Sequence, residues 1–409
     1  MLNRPRLKDL EVSVRDIYIA GTGMTPFGKQ PDRTIRSLTE QAVGEALADA
    51  GAQPHDIEFA FFSNAVGGLI TGQACVPGQA ALRHTGLLGI PIVNVENACA
   101  SGSTAFSMAC TALAAGSVDV AIVVGAEKLS HPDKARSFAA FSSGYDQEEP
   151  PTVASAADNG SAGRSVFMDI YAHLARDCMR RSGATVEDFA HVAVKAHRHG
   201  SLNPKAQYGD PITVEAVLGS RTVVDPLTLL MCSPLSDGAA ALVLANERGL
   251  ARLDAQPVRV LASVLMSGTD RRNGDKTAVE RAASRAYLQA GIEPSALDVI
   301  ELHDAAAPAE LIVYEELGLC EPGGAPALLR SGATALGGRV PVNPSGGLQS
   351  KGHPVGATGC AQLVELADQL RGRCGERQVP GAKVALAENG GGYLENDTAV
   401  ATVAILAGA

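Results

Sequence analysis

Two hydrophobic periods alternate along this chain. Residues 16–24 (DIYIAGTGM) form an apolar run of strand length, residues 34–51 repeat apolar positions at helical spacing, and residues 57–66 again read as a strand. The series continues with a helix near 77–86, the strand IPIVNVENA at 90–98, an Ala/Ser/Gly-rich helix over 99–116 that stops at Gly116, and the strand DVAIVVGAEK at 119–128. This alternation predicts a parallel-rich sheet covered by helices.

The pattern breaks at 129–232. A polar stretch (FSSGYDQEEPPTVASAADNGSAG), one helix-like run (SVFMDIYAHLARDCMRRSG) and short irregular pieces read as an insertion. The alternation then resumes with DGAAALVLAN and repeats as VRVLASVLMSG, a helix at 277–291, LDVIELHDA, a helix at 307–318, a helix after 357, VALAENGGG and TAVATVAIL. The order of elements predicts two similar β/α halves.

Composition narrows the function classes. With 409 residues, 46% hydrophobic and 19% charged, the chain can bury more than one domain-sized core and is far from a disordered composition. Aromatics are 4% with no tryptophan, and 34 basic residues face 44 acidic ones, so neither a stacking platform for nucleic acid nor a general anionic-membrane surface is expected. No run of about 18 apolar residues is free of charge, residues 1–16 lack a signal-peptide core, and the final residues carry no Ser-Lys-Leu address. A cytoplasmic, non-peroxisomal protein is expected. Eight scattered cysteines without a CxxC pair suggest reduced thiols and no metal site.

Four places carry candidate chemistry. Cys99, in VENACASGSTAF, stands where a strand-like run gives way to a helix, and unpaired N–H groups at a helix start would favour a thiolate and an oxyanion. Ala98, Ala100, Ser101 and Gly102 leave room for a substrate, though a packing cysteine fits the same residues. His353 lies in the glycine-dense loop NPSGGLQSKGHPVGATG and reads as a base for the thiol or as an incidental histidine of a turn. His303, at the end of the strand in VIELHDAA, would orient a water or bind an enolate oxygen, with Asp304 either fixing its imidazole or starting a turn. In ALAENGGGY, Asn389 and Gly390–Gly392 offer backbone donors for a second oxyanion, or simply a tight turn. Cys75, Cys110, Cys178, Cys232, Cys320, Cys360 and Cys374 read as packing residues. Arg164, Arg180 and Lys195 fit phosphate contacts or solvated surface charge equally well.

NACASGSTAF, HDAAAPAELIVYEELGLC and NPSGGLQSKGHPVGATG, in this order, closely resemble the sterol carrier protein X-type branch of thiolases. The likeness extends through GRSVFMDIYAHLARDCMRRSG and DPLTLLMCSPLSDGAAALVL. It implies a five-layered αβαβα fold of two βαβαβαββ halves: residues 15–128 with 233–255, then 256–409, with a loop domain at 129–232. It implies Cys99 as acyl carrier, His353 as its base, and His303 with His353 around an enolate oxyanion. The acyl oxyanion would be held by the N–H groups of Cys99 and the run near Gly391. Coenzyme A and its thioesters would be substrates with no covalently bound cofactor, in a homodimer and, in some relatives, beside a small zinc-bearing OB-fold subunit.

One departure matters. The branch normally reads His-Asp-Cys-Phe, its cysteine moving the α-proton, whereas Ala305 and Ala306 stand here. Glu388 is a candidate substitute, since burial raises a carboxyl toward neutrality. The expected function is therefore acyl transfer that cleaves or forms a C–C bond in a non-standard, branched or aromatic 3-oxoacyl-coenzyme A. Biosynthetic C-acylation of an activated acceptor and a non-catalytic scaffold or lipid-binding subunit are the alternatives.

Overall fold

The computed structural model describes residues 15–155, 164–272 and 274–408. The first 14 residues, and with them most of the segment judged for a signal peptide, lie outside the described residues, as does the 156–163 part of the polar stretch. The strands are β1 (Ile17–Met24), β2 (Phe59–Ser63), β3 (Ile92–Val95), β4 (Val120–Lys128), β5 (Thr222–Val224), β6 (Leu227–Thr228), β7 (Asp237–Asn246), β8 (Val258–Ser267), β9 (Val299–Glu301), β10 (Val384–Gly391) and β11 (Val400–Ala407). β5 and β6 form a separate small ribbon, and the other nine join in the order β3-β2-β4-β7-β1-β8-β11-β10-β9.

That order repeats itself outward from the β1/β8 junction. On one side β1, β7 and β4 run antiparallel to their neighbours and β2 and β3 continue in parallel. On the other, β8, β11 and β10 are antiparallel and β9 is parallel, with an Ile300–Val342 bridge in the place of the fifth strand. One connectivity is thus built twice, as the order of elements predicts.

Strands buried on both faces need cover on both sides, and β4 and β7 are buried almost throughout. Helix Ile35–Asp49 covers the outside of the first half and Ala278–Ala290 the outside of the second, while Ser101–Ala114 and Val355–Leu370 lie between them against strands of both halves. The result is the five-layered αβαβα arrangement. Small residues let the two central helices approach backbone to backbone: a Cβ on Gly102 would lie 2.9 Å from the Cys360 nitrogen, and one on Gly359 2.5 Å from the Ser103 nitrogen.

The insertion is more regular than its sequence suggests. After Val166–Ser182 comes a second helix, Val186–Gly200, opened by a Thr185/Asp188 capping box. Its buried face carries Lys195, His197 and His199 among apolar residues, which breaks the apolar periodicity and hides the helix. The helix expected over 77–86 ends at Ala81. Among the described residues no helix is long and apolar enough to cross a membrane.

Candidate active site

Cys99 stands on a turn, not on the first turn of an α-helix. Ala98–Ala100 form a 3-10 turn and the α-helix begins at Ser101. Ala98 has φ +48°, a left-handed conformation that costs a non-glycine residue energy and persists only when its surroundings hold it. They do: the Asn97 N–H donates to Ser101 Oγ (2.9 Å), Ser101 Oγ–H donates to the Ala98 carbonyl (2.6 Å), and the Ala98 N–H donates to Glu96 Oε1 (2.6 Å). Gly391 closes over the turn so tightly that an added Cβ would meet the Asn97 carbonyl oxygen at 2.3 Å and the Ala100 nitrogen at 2.7 Å.

Both histidines are brought to Cys99. Its Sγ and one ring nitrogen each of His303 and His353 lie within 4.8 Å of one another, and the two rings meet edge to face at 5.2 Å. Among the described residues these three are also the one group spaced to hold a metal ion. The Thr358 hydroxyl donates to the Pro354 carbonyl (3.2 Å) and lies 2.7 Å from His353 Nδ1. That arrangement assigns the ring proton to Nδ1 and leaves Nε2 with a free lone pair. Among the described residues His303 Nε2 is buried with no hydrogen-bond partner.

A polar frame fixes the loop that carries His353 to the strand that carries His303. The Glu301 carboxylate accepts from the Ser345 N–H (3.0 Å), the Ser345 hydroxyl (2.7 Å) and the buried Lys351 ammonium (3.0 Å). Asn343, at φ +55°, accepts from the Leu302 N–H (2.8 Å), and the His353 N–H donates to Ser236 Oγ (2.9 Å). Asp304 neither orients the His303 ring nor merely starts a turn. It accepts from the Leu348 N–H (2.7 Å) and Gln349 Nε2 (3.0 Å), which anchors the middle of the His353 loop.

Electrostatics correct one expectation. Burial first, then the Glu127 and Glu96 carboxylates, push the Cys99 thiol up to about 12, outweighing any help from the helix start. The thiol is neutral at rest. Burial holds His303 down to about 4, and burial, His303 and Lys351 hold His353 well below its ordinary value, so both imidazoles are neutral at pH 7. Burial pushes Glu388 up to about 8, partly offset by the His303 N–H that donates to its Oε2 (3.0 Å).

The remaining candidates separate by strand face. Glu388 and Gly390 share one face of β10, where Gly390 lines the cavity and a Cβ on it would lie 3.8 Å from Glu388 Oε1. Asn389 turns the other way, its Nδ2 donating to Gln362 Oε1 (2.8 Å) in the central helix. Lys195 is neither a surface charge nor a phosphate contact: it is buried in an ion pair with Glu310 and donates to the Tyr314 hydroxyl (3.1 Å). Arg180 is exposed and paired with Asp177, whereas Arg164 lines the cavity. Cys75 is exposed, so it is not a packing residue, and Cys232 lines the cavity.

Above Cys99 opens a cavity of about 530 Å³. Phe138, Phe141, Phe167, Met168 and Leu174 give it an apolar wall, and Lys29, Lys134 and Arg221 add cations. Thr358, Ser236 and Glu301 escaped the sequence reading. A hydroxyl one turn into the helix after His353-Pro354 was the available signal for Thr358, while the other two are joined to the site only by tertiary contact.

Residues 17–248 match the thiolase N-terminal domain and residues 264–406 the thiolase C-terminal domain-like family. Sterol carrier protein 2 of Homo sapiens is 37% identical over 92% of this chain and 70% of its own length. Acetyl-CoA acetyltransferase of Methanothermobacter thermautotrophicus is 38% identical (93% and 97% of the two chains), and benzoylsuccinyl-CoA thiolase subunit BbsB of Thauera aromatica is 37% identical (94% and 97%). Among solved structures, the Ltp2-ChsH2(DUF35) aldolase superposes with a TM-score of 0.78 at 27% identity over 96% of this chain and 98% of that one. The chain belongs to the thiolase family and is an acyl-CoA acyltransferase of that fold, with coenzyme A as a substrate.

Proposed function

We propose that this enzyme cleaves, or in reverse forms, a C–C bond in a branched or aromatic 3-oxoacyl-coenzyme A through an acyl group carried on Cys99. The observation that supports it most is the meeting of Cys99 Sγ with ring nitrogens of both histidines beside an apolar cavity of about 530 Å³. His353 Nε2 takes the thiol proton as sulfur attacks the 3-oxo carbon, which suits a thiol held at about 12 better than a standing thiolate. Backbone N–H groups of Cys99 and of the Gly390–Gly392 run receive the acyl oxyanion, and neutral His303 offers Nε2 to the enolate oxygen. The enolate is then protonated, and coenzyme A, deprotonated by His353, removes the acyl group. Glu388 serves as the proton reserve, since it keeps its proton at neutral pH close behind the cavity wall.

Three aromatic or thioether side chains on that wall, Phe141, Phe167 and Met168, favour a bulky acyl group, in keeping with the substrate in the name of the Thauera aromatica relative. Ala305 and Ala306 in place of larger residues favour a second direction, C-acylation of an acceptor that arrives already activated. We extend the proposal to a cytoplasmic homodimer that works beside a small OB-fold subunit, as the pairing of Ltp2 with ChsH2(DUF35) in the aldolase neighbour suggests. Incubation with aliphatic and aromatic acyl- and 3-oxoacyl-coenzyme A thioesters, read by intact mass, should add one acyl group that is absent from Cys99→Ala. Failure of every thioester, with and without the candidate subunit, would sink the acyl-transfer reading.

A further inference from the structure

Cleavage leaves an electron pair on the α-carbon, and Ala305 has no proton to give it. Besides Cys99, four thiol or phenol groups on the cavity wall carry a proton that could serve, of which Tyr208 is exposed and stacks on His197 at 5.4 Å. Cys232 Sγ donates back to the Thr228 carbonyl (3.5 Å), and the charge it feels is that of Arg221. Tyr393 lines the cavity too, but after burial the charges that act most on its phenol are those of Glu395, Arg271 and Asp397. Tyr171, on helix Val166–Ser182, lines the cavity with Cys99, His303, Ala305 and His353, and among the described residues its hydroxyl has no hydrogen-bond partner.

We propose that Tyr171 is the catalytic acid/base at the substrate α-carbon, the office left open by Ala305. This rests on the thiolase reading above. Burial chiefly raises the phenol well above its ordinary value, and Cys99, Glu388 and Asp304 add to this once ionised, so it holds its proton at neutral pH. The same influences place it within electrostatic reach of the nucleophile and of the proton reserve. As the C2–C3 bond breaks, its electron pair passes to C2, and the Tyr171 O–H gives its proton to C2 and becomes a phenolate. The proton that His353 took from Cys99 returns to that phenolate. Acyl-Cys99, neutral His353, neutral Tyr171 and the released thioester remain, with atoms and charge conserved.

Two partial reactions of the full chain test this. Acylation by benzoyl-coenzyme A, which has no α-hydrogen, reports Cys99 and His353 alone; deuterium uptake from D2O into the methyl group of acetyl-coenzyme A reports the α-carbon acid/base. Tyr171→Phe should acylate within about twofold of the wild type and exchange at least roughly 100-fold more slowly, the lower range for a general acid–base group. Exchange at the wild-type rate in Tyr171→Phe would overturn the proposal. So would loss of acylation together with exchange, which would make Tyr171 a support of the nucleophile, or loss of exchange in Cys232→Ser with retention in Tyr171→Phe. A wild-type protein that acylates without exchanging would also overturn it, whereas one that never acylates removes the thiolase reading itself.

Discussion

A neutral thiol beside a neutral imidazole reacts only if the imidazole presents the right nitrogen, so much depends on Thr358. Its hydroxyl, committed to the Pro354 carbonyl, accepts from His353 Nδ1 and keeps Nε2 free as the base. Thr358→Val removes that acceptor from a buried N–H, a cost of about 1–3 kcal/mol. Benzoylation of Cys99, followed by rapid-quench mass measurement, should slow roughly tenfold to a hundredfold, and Thr358→Ser should restore it. An unchanged rate in the valine variant would show that the tautomer is set elsewhere. The sequence singles out Cys99 among small residues, His353 in a glycine-dense loop and His303 at the end of a strand, and the fold brings these three side chains together. Tyr171 gave no such signal, because its sequence neighbours describe an ordinary amphipathic helix and only the folded insertion sets it on the wall of the cavity that Ala305 also lines.

Elements act here through close backbone contact. β10 ends in Gly390 and Gly391, and the second of these presses on the Asn97–Ala100 turn at distances no Cβ tolerates. Gly391→Ala must move either the strand or the turn. Because the turn is already strained at Ala98 while β10 is locked between β9 and β11, the turn should yield. The expected result is a folded protein with a near-native thermal midpoint and a loss of Cys99 acylation of more than tenfold. A fall in midpoint with acylation intact would mean that the strand moved instead. The alternating strands and helices were readable because apolar periodicity reports which face an element buries. Helix Val186–Gly200 was not, since Lys195, His197 and His199 occupy its buried side, where partners on other elements satisfy Lys195 and His199.

At the scale of the whole molecule, the site's burial sets how stability depends on pH. Asp304 and Glu388 are held up to about 8, Glu316 to about 7 and Asp368 to about 6, in each case chiefly by desolvation. Between their ordinary values and these, the folded chain binds more protons than the unfolded one, so stability falls as pH rises from about 4 through 8. His303, held down to about 4, and His199, to about 3, act in the opposite sense: they contribute stability above about 6.5 that is lost as pH falls through those values. Through most of this window the four raised carboxyls outweigh the two histidines, so among these groups stability declines as pH rises from about 5 toward 8. Guanidinium midpoints should therefore be higher at pH 6 than at pH 8. Glu388→Gln keeps an acceptor for the His303 N–H but cannot ionise, so it should flatten the decline between pH 6 and 8 by up to about 1.4 kcal/mol per pH unit, the worth of one proton. An unaltered slope in the variant would mean that Glu388 already carries a charge at neutrality and holds no proton in reserve for the site.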